Sequence, residues 1–249
     1  MMKSFILMIQ FMTRIPIPIE IKMEKQTISR GIFFFPFIGM MVGAISWGLY
    51  FLFGFINHEM GALGAVAGML IATGGLHADG LSDTFDGFFS ARSREKILEI
   101  MKDSRTGTFG VIAIVFDLLS RYIMIKNLDP DQAFLTLILL CGSSRLGAAM
   151  LITFGKSARK GGLGELFSAS AGKVYFLISA AAYIAAGFFL AGLSFLILLS
   201  AMLLFCLVLM QRSYKIIGGL TGDVYGAAIE LSEIIGLITV MAVGKWISF

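Results

Sequence analysis

Apolar residues in this chain come in long blocks separated by short polar connections, not in the alternating or one-sided patterns of a soluble fold. The blocks run over 31–56, 60–76, 108–125, 132–154, 174–192, 194–210 and 226–248. Each approaches the roughly 20 residues a helix needs to cross a bilayer. The pattern predicts about seven transmembrane helices in one all-α, polytopic membrane bundle covering 1–249. Residues 4–13 are apolar but too short to cross, and Arg14, Pro16 and Pro18 stop any helix there, so this piece reads as a short interfacial or re-entrant helix. Residues 19–30 are polar and basic, and Pro36 stands near the start of the first block, where proline is best tolerated. In the second block Gly61, Gly64 and Gly68 recur at three and four, a spacing that suits close helix packing in lipid and leaves a homo-oligomer open.

Composition agrees. The chain is 57% hydrophobic and 14% charged, with a mean hydropathy of +0.88, which excludes an ordinary soluble domain. The net charge of +4 does not imply nucleic acid, because the basic residues lie in the connections between apolar blocks. Lys and Arg number five up to Arg30, none at 57–59, five at 77–107, one at 126–131 and four at 155–173. None follows near 193, then two at 211–225 and one, Lys245, near the C-terminal end. This alternation places the N-terminus and the loops 77–107, 155–173 and 211–225 in the cytoplasm of a bacterial or archaeal cell, and the C-terminus outside. Cys141 and Cys206 fall inside apolar blocks and read as two reduced, buried thiols.

The longest polar interruption, Gly74–Gly110, carries four aspartates and His77, one of two histidines. If the segment from Asp79 is helical, Asp79, Asp83 and Asp86 share one stripe. Two carboxylates about 6 Å apart repel by roughly 3 kcal/mol at an effective dielectric of about 20. Helix propensity, at most about 0.7 kcal/mol per residue, does not offset that. A bound divalent cation does, and an all-oxygen set suits Mg²⁺ or Mn²⁺ completed by water and substrate phosphates. The competing reading is a solvated acidic face balanced by Arg92, Arg94 and Lys96; the density of Gly74, Gly75, Gly80 and Gly87 favours the metal. His77 fits a hydrogen-bonding or proton-handling role and equally an interfacial histidine with its needs met.

Charges inside the blocks count as functional by default. Asp117 and Arg121, four apart, can pair with each other, whereas Arg145 must reach a carboxylate on another helix or a substrate phosphate. Glu230 and Glu233 open the last block, with Asp223 seven residues before Glu230. Lys102 and Asp103 in K-D-S-R-T-G-T-F-G precede the third block, whose N-terminus favours anions. Loop 155–173 mixes basic residues with five glycines and reads either as a phosphate wrap or as an ordinary positive-inside loop. Nucleophilic triads, Walker A, G-x-G-x-x-G after a strand, C-x-x-C and H-E-x-x-H are absent from the sequence. What remains is metal-assisted transfer of a phosphorus group from an activated donor.

The runs GGLHADGLSDTFDG (74–87) and MKDSRTGTFG (101–110) resemble the cobalamin-5'-phosphate synthase family, the adenosylcobinamide-GDP ribazoletransferases. FMTRIPIP (11–18), ARKGGLGELF (158–167) and GGLTGDVYGAAIELSE (218–233) resemble its other blocks, end to end. The resemblance implies the last assembly step of vitamin B12: α-ribazole or its 5'-phosphate joined to adenosylcobinamide-GDP, with Mg²⁺ required and GMP released. By motif position it implies Asp79, Asp83 and Asp86 as metal ligands, with Asp83 and Asp86 also catalytic, and Lys102 and Asp103 completing the diphosphate site. Asp223 and Glu230 become either a second carboxylate cluster or the proton acceptor. His77, Arg92, Arg145, Lys160 and Asp223 become substrate contacts, Glu230 a catalytic residue, and membrane lipid the surroundings.

Two rivals differ in specific ways. The CDP-alcohol phosphotransferases share D-x2-D-G followed by A-R, but Ala91-Arg92 comes one residue late and residue 111, four after Gly107, is Val. A transporter or Mg²⁺ channel would set its acids at mid-membrane, and here most lie in a loop.

Overall fold

The computed structural model describes residues 1–243, and among these regular structure is helical. The end of the last predicted block, 244–248, with Lys245, lies outside the described residues. Five helices are long and apolar enough to cross a membrane: Lys25–Gly54, Thr108–Lys126, Pro130–Phe154, Lys173–Ile217 and Gly222–Val243. The pair His58–Thr73 and Leu76–Phe88 meets the same test only when taken together and is bent by 89° at the break between them.

Lys173–Ile217 is too long for a single crossing. A straight helix over its 45 residues would measure about 67 Å, twice the hydrocarbon thickness. Gly192 interrupts it with φ 55° and ψ −136°, a conformation essentially reserved for glycine. The Tyr183 and Phe195 rings, which a straight helix would separate by about 18 Å, stand 5.5 Å apart edge to face. The chain doubles back at Gly192, so Lys173–Ile217 comprises two limbs, corresponding to the predicted blocks 174–192 and 194–210. We name the helices α1 (Met2–Met12), α2 (Lys25–Gly31), α3 (Phe35–Gly54), α4 (His58–Thr73), α5 (Leu76–Phe88), α6 (Arg94–Ile100), α7 (Thr108–Lys126), α8 (Pro130–Phe154), α9 (Leu163–Ser170), α10 (Lys173–Ile217) and α11 (Gly222–Val243). The short α1 matches the predicted N-terminal helix, burying Leu7, Met8, Ile9 and Met12.

Without a hydrophobic difference between lipid and side chain, helices associate through close packing, and glycine permits the closest. Gly64 of α4 faces the Leu49 carbonyl of α3, and Gly68 faces the Ser46 backbone, while Ser46 Oγ donates to the Ala65 carbonyl at 2.9 Å. The small-residue stripe is therefore spent inside the chain. Gly39 and Gly43 set α3 directly on the α8 backbone at Cys141–Gly142 and Leu137–Ile138. A methyl at Gly39 would meet main-chain atoms, which have no rotamer to yield. Gly39→Ala should therefore destabilise by about 1–3 kcal/mol, read as a lower melting midpoint in detergent. α8 is the central post, buried almost continuously from Thr136 to Ala149. The two cysteines are free and buried.

The site depends on one corner. Asn57 caps α4 by accepting from Met60 N at 2.8 Å, and the helix ends in two left-handed residues, Gly74 (φ 63°) and Gly75 (φ 73°). The Arg14 side chain lies where a Gly74 Cβ would be. α4 supplies the crossing; α5 turns off its end at nearly a right angle.

Candidate active site

The acidic helix is held by glycines on both sides. A Cβ on Gly80 would stand 2.8 Å from the Asp223 carbonyl, and one on Gly226 would stand 3.1 Å from that of His77. α5 and α11 thus meet backbone to backbone, which brings Asp223 to the α5 aspartates. On the other side Asp86 accepts from Gly107 N at 2.7 Å and Gly110 N at 2.8 Å, capping the N-terminus of α7 with its carboxyl group. Asp79 is exposed, and Asp83, Asp86 and Asp223 are half-buried.

Asp83 reports the crowding. Burial and the charges of Asp79, Asp223 and Asp86, opposed by Arg159, push its carboxyl up from 3.8 to about 7. Between those values the folded protein holds a proton that the unfolded chain has lost, so this group makes stability fall as pH rises to about 7 and then level off. The melting midpoint of the metal-free protein should show this slope, and Asp83→Asn should remove its share of it.

Beside these acids lies a cavity of about 290 Å³. Four sequence blocks converge on it: Phe11 and Met12 from the first, His77 and Asp79 from α5, Arg159 to Phe167 from the glycine-rich loop and α9, and Thr221 to Gly226 opening α11. The last two blocks are clasped together, Ala158 N donating to Leu220 O and Leu220 N to Lys156 O, both at 2.8 Å. One wall is polar, with Asp79, Asp223 and Arg159, whose Nη2 stands 3.4 Å from Asp223 Oδ2. The lining also has an aromatic part, with Phe11 stacked on Phe167 at 4.5 Å and Phe35 edge-on to Phe167 at 6.5 Å. His77 is 5% exposed, and its Nε2 has no hydrogen-bond partner. Burial, with the Arg145 charge behind it, holds the imidazole neutral, its pKa down at about 3.

The structure gathers Asp79, Asp83, Asp86, Asp223 and His77, and it places other expected residues elsewhere. Arg145 reaches another helix's carboxylate, as its isolation required, but that carboxylate is Glu233, deep in the bundle. Of the two partners open to it, the structure shows the carboxylate, which meets the buried guanidinium's need whether or not substrate is bound. Glu230 likewise faces inward, paired with Arg121, which also holds Glu233 and Asp117, the last at 2.9 Å. Asp103 is tied to Arg105 on the surface, which lowers its carboxyl to about 2, and neither it nor Lys102 lines the cavity. Arg92 and Lys160 are exposed. The cavity cation is Arg159, one residue before Lys160. Neither Arg159 nor the Phe11–Phe167 wall stands out in a chain with 23 phenylalanines and so many basic loop residues.

Among the described residues no three His, Cys, Asp or Glu side chains stand together as a finished coordination set. The donor chemistry still fits a hard divalent cation. Asp79, Asp83, Asp86 and Asp223 are oxygen donors crowded against one guanidinium, and Asp86 keeps lone pairs beyond its two backbone bonds.

A family profile described as cobalamin-5-phosphate synthase matches residues 4–241. An adenosylcobinamide-GDP ribazoletransferase of Clostridium novyi (strain NT) is 39% identical over 243 residues, covering 97% of both chains. Its counterpart in Caldanaerobacter subterraneus is 40% identical over 240 residues, 95% of this chain and 97% of that one. That of Treponema denticola is 40% identical over 256 residues, 96% and 97%. No solved structure matches.

Proposed function

The chain belongs to the cobalamin-5-phosphate synthase family, a membrane transferase of cobalamin biosynthesis acting in the final step of nucleotide-loop assembly, and from that premise we propose how its cavity serves the reaction. The substrates are adenosylcobinamide-GDP and α-ribazole or its 5'-phosphate. A hydroxyl of the ribazole attacks the phosphorus joined to cobinamide, the bond from that phosphorus to the GMP oxygen breaks, and GMP leaves. The observation that supports this reading above the rest is the meeting of four separate sequence blocks around one cavity beside four carboxylates.

Asp79, Asp83 and Asp86 would hold Mg²⁺, with Asp223 on the facing helix. When bound, the ion supplies charge neutralisation for the diphosphate and lowers the pKa of the attacking hydroxyl. Asp223 lies at the cavity and is better placed than Glu230 to accept the hydroxyl proton, because Glu230 is committed to Arg121. Arg159 faces the same space and offers a guanidinium to a phosphate. We assign the cavity and the N-terminus to the cytoplasmic side, a reading supported by the excess of Lys and Arg in those loops. Purified protein given both substrates should release GMP only with Mg²⁺ or Mn²⁺. A transporter releases none, and a CDP-alcohol phosphotransferase would release CMP from its own donor instead.

A further inference from the structure

We infer that the cavity is the seat of the acceptor nucleoside alone, its base lying against the Phe11–Phe167 wall and its sugar end facing His77 and Arg159. This rests on the transfer reaction proposed above and assigns one of its two substrates to a place. Size decides first. A cavity of about 290 Å³ is of the order of a base with its ribose and far too small for a corrinoid carrying GDP.

The walls decide next. Phe11 and Phe167 are stacked at 4.5 Å and 25°, with Phe167 buried, and both line the cavity, which gives it an apolar aromatic wall against which a planar base packs. The polar part of the lining is short of partners. His77 Nε2 is buried without one, and so is Arg159 Nη1. Buried polar atoms normally find partners, and two orphans bordering one cavity mark where a ligand's polar groups belong. The imidazole can serve a sugar hydroxyl, and the guanidinium can serve a hydroxyl or a 5'-phosphate. The nucleoside's polar end then lies next to Asp79 and Asp223, as attack on the donor requires.

Two variants test this in the full chain, purified in detergent. Phe167→Leu keeps an apolar side chain and removes the ring; Ala148→Leu, on the cavity wall of α8, fills the space. Binding of α-ribazole alone, with no donor present, is measured by calorimetry, and KM is then measured separately for each substrate. Phe167→Leu should weaken nucleoside binding about tenfold or more and raise the acceptor KM in step, leaving the donor KM unchanged. Ala148→Leu should do the same at a melting midpoint close to that of the parent chain. Nucleoside binding as tight as the parent's in both variants, or a rise in the donor KM instead, would overturn the assignment. The two readings separate cleanly. Ring-dependent nucleoside binding without any GMP release would sink the reaction and keep the seat, and GMP release with binding indifferent to the ring would do the reverse.

Discussion

Asp83→Asn is expected to lower kcat/KM for GMP release by about 1,000-fold or more, a loss of about 4 kcal/mol of transition-state stabilisation, while the protein stays folded. Asn has the shape of Asp and lacks its charge, so packing is preserved. The change even relieves the repulsion that burial and three neighbouring carboxylates impose on Asp83. Metal-free Asp83→Asn should therefore melt no lower than the parent chain at pH 8, and should show none of the rise in melting midpoint that we propose Mg²⁺ to give the parent. Stability and activity would then move in opposite directions, which a merely damaged fold cannot do. Parent-like turnover, or a parent-like response to Mg²⁺, would remove Asp83 from the metal site.

The second large effect lies away from the chemistry. Arg121 is fully buried and holds Asp117, Glu230 and Glu233 together across α7 and α11. Removing one partner of a buried ion pair costs about 3–5 kcal/mol because the other charge is left uncompensated, and here three acids lose their shared partner. Arg121→Leu should therefore fail to give a monodisperse, folded protein in detergent, or should melt far below the parent chain. Arg145→Leu should be milder, since Glu233 keeps Arg121 and the Ser144 hydroxyl at 2.8 Å. A parent-like melting midpoint for Arg121→Leu would mean that the network contributes little. From sequence alone the order looks reversed, because Arg121 has an evident local partner four residues away and Arg145 has none. Pairing within a helix is visible in spacing; a hub joined by acids some 110 positions along the chain is not.

The same distinction runs through the molecule. The spans were legible because length and hydropathy alone decide them, and the gap at 193 marked the turn between two of them. The stripe Asp79, Asp83, Asp86 was legible because it is periodic within one helix. What escaped were features made by juxtaposition. α9 has only eight residues inside what reads as a loop. Phe167 gains meaning only when Phe11, from the other end of the chain, stacks on it. Arg159 and Lys160 are interchangeable in composition, and the clasp between Lys156, Ala158 and Leu220 selects which of them faces inward.

The fold-back at Gly192 carries a consequence for biogenesis. Its two limbs have a single residue between them, so the translocon cannot park one limb in lipid while the ribosome is still completing the other. The two limbs are therefore expected to enter lipid together, as one hairpin, with only the turn at Gly192 reaching the surface.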